Sequence, residues 1–223
     1  MPLLVEAARI DPGLDVLDVG CGTGGFAREI ARVAGARVTG CDRSGRFLEF
    51  ARGAPGDVNW VEGDAERLPF EAASFDRVLL SLVLHQLAEP FAAVAEAFRV
   101  LRGDGLALVR TIAPEDVAGR VPERYLPAMA AADEARLPPI DDVVTWLERA
   151  GFVDVDVRRH RRNKRLVFAE QERELRTEAR FRYPFIAEDE IDRAVEQMRR
   201  DAEAAGEWVD PRPTYVIVAR RPS

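Results

Sequence analysis

At 223 residues, with 47% hydrophobic and 32% charged side chains, the chain can bury one full core with some elaboration, but not two comfortable domains. A formal net charge of −7 counts against general nucleic-acid binding, and two cysteines, Cys21 and Cys41, exclude a disulfide framework and show no metal-ligand spacing, so no metal is expected. No apolar run reaches bilayer length and the opening MPLLVEAARIDPG lacks the basic start and apolar core of a secretion signal, so a cytoplasmic protein with no membrane partner is expected.

Residues 16–31 read VLDVGCGTGGFAREIA: an apolar strand expected near 15–19, a glycine-dense turn, and an amphipathic helix near 24–34. Glycines at 20, 22, 24 and 25 remove the Cβ atoms that keep a ligand off the backbone and permit positive φ. Phe26, Ile30 and Val33 recur at helical spacing, which lays the helix on a sheet with its N-terminus at the turn. The turn fits G-x-G-x-x-G at Gly20, Gly22 and Gly25, the spacing of nicotinamide and flavin dinucleotide sites. Asp18 opposes that reading. A dinucleotide places its pyrophosphate at this helix N-terminus, where a nearby carboxylate opposes it by about 1 kcal/mol in water and more in a shielded cleft. S-adenosylmethionine carries no phosphate but does carry an ammonium and a sulfonium, which suit Asp18.

A second strand, 37–41, leads to Asp42, about twenty residues beyond the glycines, where a carboxylate can accept both hydroxyls of a ribose. A helix over 44–53, capped by Ser44, follows. After a third strand, 58–61, comes Gly63-Asp64-Ala65-Glu66, where Asp64 can accept a hydrogen bond from an adenine amino group. A fourth strand is expected at 76–81, a helix at 90–101 beginning on Pro90, and a fifth strand at 105–111, with Gly35, Gly53 and Gly103 as helix stops. Alternation of strands and helices implies a parallel sheet covered on both faces, with ligands held outside the carboxyl ends of the strands, where the three acids fall.

The strings LDVGCGTGGFA at 17–27, GCDRS at 40–44, VEGDAERLPF at 61–70, FDRVLLSLVLHQL at 75–87 and FRVLRGDGLALVRT at 98–111 resemble, in order and spacing, the class I S-adenosylmethionine-dependent methyltransferases, in particular their small-molecule, type 11-like branch. The resemblance implies a Rossmann-like, seven-stranded, mostly parallel α/β sheet with an antiparallel last strand. It also implies S-adenosyl-L-methionine as cofactor, S-adenosyl-L-homocysteine as product and a small-molecule acceptor. Asp18 and the backbone of Gly20, Cys21, Gly22 and Gly24 would hold the methionine portion, and Asp42 the ribose diol. Asp64 would meet the adenine amino group with help from the Ala65 backbone, while Ser81 and Leu82 would close over the methionine end. Arg43, where many relatives carry an aliphatic residue, can stack on adenine or turn to solvent.

Beyond residue 112 the pattern loosens. Pro114, Pro122, Pro127, Pro138 and Pro139 punctuate a stretch expected to form short helices over the cleft. A helix capped by Asp141 then runs to Ala150 and stops at Gly151, followed by a sixth strand at 152–158 and a last one at 214–220. The roughly fifty residues between those strands look helical over 169–180 and 187–205, with Ile191, Val195 and Met198 as an apolar stripe. The expectation is one methyltransferase domain over 1–223 with helical lid insertions at 112–140 and 159–213. Phe168, Phe181, Tyr183, Phe185 and Trp208 are the lid's candidate substrate-facing aromatics, each otherwise a core residue. The basic run 158–165 can receive a phosphate, but reads first as a solvated turn offset by Glu170, Glu172 and Glu174.

Methyl transfer needs a general base only when the acceptor is a hydroxyl or a protonated amine. His85, just past the fourth strand, is the candidate, with a structural histidine as the plain alternative. Two other readings compete: a non-catalytic protein that keeps the cofactor pocket, and a nicotinamide-dependent oxidoreductase, which the acids at 18 and 64 oppose.

Overall fold

The computed structural model describes residues 2–205 and 208–223, the side chains at 2, 3, 162, 178, 180, 181 and 211 excepted. Phe181 and Arg162 therefore lie outside the described side chains. The chain divides into two compact units: Met1–Thr111, Pro139–Arg158 and Tyr215–Ser223 form the first, and Ile112–Pro138 with Arg159–Thr214 the second.

The first unit begins with a short helix α1 (Pro2–Ala7) and continues β1 (Asp15–Val19), α2 (Gly25–Ala34), β2 (Arg37–Asp42), α3 (Gly45–Gly53), β3 (Val58–Glu62), β4 (Phe75–Ser81), α4 (Pro90–Val100) and β5 (Leu101–Thr111). After α5 (Pro127–Glu134) come α6 (Ile140–Ala150), β6 (Val153–Arg165), α7 (Phe168–Arg182), α8 (Glu188–Ala204) and β7 (Val209–Arg220). The strands form one seven-stranded sheet in the order β3-β2-β1-β4-β5-β7-β6. Pairings from β3 through β5 are parallel, and β7 runs antiparallel to β5, with Leu108 opposite Val218. The expected α/β architecture and antiparallel last strand are therefore present.

Period-two alternation assigns the strand residues to two apolar layers. Leu17, Val19, Val78, Leu80 and Val109 face α4 and α6, while Val16, Leu79 and Leu108 face α1 and α2. Each fully buried Leu or Val contributes about 1.5–3 kcal/mol relative to exposure. At the amino ends of the strands, Arg102 bridges Asp15 at 3.0 Å and Asp76 at 2.9 Å, and Arg37 holds Asp15 at 2.7 Å. These arginines keep the Asp15 carboxyl below the usual carboxylate range against the opposing effect of its burial.

Several local expectations change. The buried stripe of α2 is Ala27, Ile30 and Ala34, and Val33 is 42% exposed, so the helix is rotated by one residue from the expected face. Ser44 does cap α3, accepting the Phe47 N–H at 3.3 Å. Gly103 lies inside β5 and ends no helix. At the end of α4, Arg221 donates to Phe98 O at 3.0 Å and Arg99 O at 3.2 Å and stacks on the Phe98 ring, while the N–H groups of Ala73 and Ser74 donate to Arg99 O at 3.0 Å and Val100 O at 2.8 Å. Pro139 occupies the N-cap of α6, and Asp141 sits within its first turn, where it favours the helix dipole without capping. The basic run is not a turn: it extends β6 to Arg165, with Arg158 paired to Asp156 at 2.7 Å and Arg159 to Asp116. Of the downstream glutamates, Glu172 pairs with Arg176 of its own helix.

The second unit has its own core, in which Met129, Leu175, Tyr183, Ile191, Val195 and Met198 pack together. The stripe of α8 is thus packing. Tyr183 and Trp208 are buried in this core, Phe168 packs against it, and Phe185 is 64% exposed. Among the described residues no helix is long and apolar enough to cross a membrane.

Candidate functional site

A cavity of about 320 Å³, at the small end of ligand pockets, opens at the carboxyl tips of the first three strands. Its walls come from the glycine turn (Gly20, Gly22), the tip of β2 (Asp42, Arg43, Ser44, with Phe47 of α3), the tip of β3 (Gly63, Asp64, Ala65), and Val83, Gln86 and Leu87 after β4.

The glycines differ in what they do. A Cβ on Gly24, at φ 76°, would lie 2.2 Å from the Trp60 ring, and one on Gly20, at φ 69°, 2.4 Å from Val83 Cγ2. Both make room for packing. Gly22, at φ 54°, has nothing within 4 Å of such a Cβ and lines the cavity, so its bare backbone faces the space a ligand takes. The turn is pinned below by Cys41 O, which accepts the N–H groups of Gly20 at 2.8 Å and Cys21 at 3.1 Å.

Asp42 ties the cavity together. Its Oδ2 accepts the Gly22 N–H at 2.8 Å and its Oδ1 the Ser44 N–H at 2.9 Å, and each oxygen keeps a further lone pair for a ligand hydroxyl. Asp64 Oδ1 accepts the Glu66 N–H at 2.9 Å, which shapes the β3 tip around Ala65. Glu66 in turn accepts the N–H groups of Ala88 and Glu89, both at 2.9 Å, ahead of α4.

Asp18 lies below, in β1, and is 1% exposed. Its Oδ2 has no hydrogen-bond partner. Burial raises its carboxyl to about 7, with Arg110 opposing the rise and Asp42 adding to it. Ser81 Oγ is likewise buried without a partner, and Leu82 holds φ 57° while donating its N–H to Arg110 O at 2.8 Å. Burial pushes the Cys41 thiol up to about 12 and Cys21 higher still, so both stay protonated and inert.

Of the residues expected to bind cofactor, Gly20, Gly22, Asp42, Arg43, Asp64 and Ala65 line the cavity, and Asp18, Cys21, Gly24, Ser81 and Leu82 do not. His85 sits half-buried in a short turn, Leu84–Gln86, whose neighbours Val83, Gln86 and Leu87 reach the wall. Ser44, Phe47, Gly63 and those three residues were not expected there. Ser44 and Gly63 lie within two residues of the acids in sequence, which is the signal that finds them; Phe47 sits further on in α3, and Val83, Gln86 and Leu87 fall in the matched string at 75–87 without any residue type that marks a ligand. Among the described residues no cluster of His, Cys, Asp or Glu is placed to hold a metal.

The donor set suits an uncharged or cationic nucleoside. Asp42 and Asp64 on the walls and Asp18 beneath oppose a pyrophosphate, while bare glycine backbone and paired carboxylate lone pairs suit a sugar diol and an amino-acid tail.

A family profile described as a methyltransferase domain matches residues 17–109. The chain is 33% identical over 175 residues to the demethylmenaquinone methyltransferase of Renibacterium salmoninarum, covering 70% of this chain and 73% of that one. It is 35% identical over 150 residues to the chloroplastic 2-methyl-6-phytyl-1,4-hydroquinone methyltransferase 1 of Oryza sativa, covering 66% of this chain but 43% of that protein, so it spans less than half of that relative's length. A crystal structure of a Bacillus halodurans protein shares the fold at TM-score 0.70 and 23% identity, over 100% of this chain and 98% of that one.

Proposed function

Because the chain belongs to the class I S-adenosylmethionine-dependent methyltransferases, we propose that it moves a methyl group from S-adenosylmethionine to a small-molecule acceptor and releases S-adenosylhomocysteine. The observation that carries this reading is the convergence of Gly22, Asp42 and Asp64 on one cavity of about 320 Å³. In this assignment Asp42 takes the ribose hydroxyls, and Asp64 with the Ala65 backbone takes the adenine edge. Arg43 lies along the purine. Asp18, the backbone of Gly20, Cys21, Gly22 and Gly24, and Ser81 with Leu82 serve the methionine end.

The bound cofactor supplies an electrophilic methyl group on a sulfonium. The protein's part is positioning, which supplies much of the acceleration in such displacements, and a surround that need not solvate a charge that vanishes in the transition state. For a hydroxyl acceptor, His85 takes the proton. The relatives named for quinone-ring acceptors make a reduced quinone the first acceptor class to try, with His85 drawing the phenolic proton as a ring carbon takes the methyl group from sulfur, and returning it to the oxygen as that carbon's own proton leaves to water and restores the aromatic ring. The segments 112–140 and 159–213 act as the acceptor lid in this reading, and ligand-dependent protection from proteolysis checks that role. A cytoplasmic placement is part of the same proposal and is checked by cell fractionation.

Calorimetric titration with S-adenosylhomocysteine tests the cofactor assignment. Saturable one-to-one binding is expected, and absence of heat with either S-adenosylhomocysteine or S-adenosylmethionine overturns it.

A further inference from the structure

Three buried polar atoms stand unpaired on three neighbouring strands. Asp18 Oδ2 on β1, Ser81 Oγ on β4 and Arg110 Nε on β5 have no hydrogen-bond partner among the described residues. In the sheet β4 lies between β1 and β5. Asp18 is in register with Leu79, and Arg110 with Ser81, so strand alternation puts all three side chains on the same face. Beneath them on that face lie Val16, Leu79 and Leu108, and Phe26 of α2 stacks against the Arg110 guanidinium at 5.4 Å.

One unpaired buried polar atom is costly. Three on one face, with Ser81 and Arg110 level with each other and Asp18 two residues lower on β1, anionic at one end, cationic at the other and a hydroxyl between, have the form of a receptor for a group of opposite polarity along the same diagonal. A phosphate is opposed by the aspartate, and a simple amine by the arginine. A zwitterion satisfies both ends. Resting on the cofactor assignment above, we propose that Arg110 binds the carboxylate of the cofactor's α-amino acid end, with Asp18 on the ammonium and the Ser81 hydroxyl between them, and that Arg110 thereby selects the intact amino-acid tail.

The test compares wild type with Arg110→Gln in calorimetric titrations of three ligands: S-adenosylmethionine, its decarboxylated form, and 5′-methylthioadenosine, which lacks the amino-acid end. Wild type should bind S-adenosylmethionine more tightly than the decarboxylated form. Arg110→Gln should lose about ten- to a hundredfold of its affinity for S-adenosylmethionine, as for loss of a charge-assisted hydrogen bond, erasing that preference, with 5′-methylthioadenosine affinity unchanged. Arg110→Lys should recover part of the loss. Equal binding of S-adenosylmethionine by wild type and Arg110→Gln overturns the carboxylate assignment while the cofactor reading stands. A matching loss for 5′-methylthioadenosine marks a merely structural role and also overturns it. If wild type binds none of the three, the cofactor reading itself fails.

Discussion

The Asp42 carboxylate accepts the Gly22 N–H at 2.8 Å across 20 positions of sequence, so the tip of β2 and the glycine turn hold one another in place. The same carboxylate fixes the start of α3 through the Ser44 N–H. A group that shapes the cavity and also faces it has two reasons to matter.

Replacing Asp42 by alanine removes both. Hydrogen bonds to a charged group contribute about 1.5–3 kcal/mol each, so Asp42→Ala should weaken S-adenosylhomocysteine binding by at least tenfold. Asp42→Asn keeps one carbonyl acceptor and should fall between. Calorimetry reads both, and wild-type affinity in Asp42→Ala would refute the ribose assignment.

The glycine turn offers a contrast in sign. Gly24→Ala drives a Cβ into the Trp60 ring at positive φ and should destabilise by about 2–4 kcal/mol. Gly22→Ala meets no atom within 4 Å, so its stability loss should be only the strain of the left-handed backbone, about 1–2 kcal/mol, while nucleoside binding suffers. Gly25 opens α2 with neither a neighbour within 4 Å nor positive φ, and Gly25→Ala should be neutral or stabilise by up to about 1 kcal/mol. Denaturant melts of the three variants check the order.

Asp18 gives the fold a pH dependence. Burial raises its carboxyl from 3.8 in the unfolded chain to about 7 in the folded one. Between those values the folded protein holds the proton and the unfolded chain does not, so this group's contribution to stability falls as pH rises from about 4 to about 7. The full effect is on the order of 4 kcal/mol. Asp18→Asn should therefore gain stability over wild type as pH rises through that window, and urea melts at pH 5 and pH 8 measure it. A stability difference that is flat in pH would place the Asp18 carboxyl near its ordinary range. Because a cationic ligand favours the ionised form, wild type should also release a proton on binding S-adenosylmethionine near neutral pH, seen as a buffer-dependent binding heat.

Much of this was legible in the sequence for a physical reason. Parallel strands inside a sheet are largely apolar runs, so Asp42 at the end of β2 marks the sheet edge where ligands bind, and Asp64, just past the half-exposed edge strand β3, is legible from the Gly63-Asp64 turn that follows it. Arg110 was not legible. Its string LALVRT reads as the polar end of a strand, and only the pairing of β5 with β4 puts it on the face shared with Asp18. The run at 158–165 misled because charge density resembles a loop, whereas side chains on a strand can carry charge without disturbing the backbone ladder. Gly103 misled because the end of α4 is satisfied from elsewhere in the chain, by the N–H groups of Ala73 and Ser74 and by Arg221.

That remote cap is itself testable. Arg221 donates to two carbonyls at the end of α4 and stacks at 4.9 Å on Phe98, whose ring meets Phe152 edge-on at 5.1 Å. Arg221→Ala removes the side-chain donor from the Phe98 carbonyl, leaves the Arg99 carbonyl only the Ala73 N–H at 3.0 Å, and uncovers the ring. The cost should be about 1–2 kcal/mol, from the favourable dipole of a cation at a helix C-terminus together with the lost stacking. Arg221→Lys keeps the charge without the planar fork and should recover the dipole part alone. The site at the opposite ends of the strands is untouched, so S-adenosylhomocysteine affinity should match wild type at temperatures where both variants are folded. A drop in affinity as large as that of Asp42→Ala would mean that the end of α4 is coupled to the cavity, and the separation of cap from site would fail.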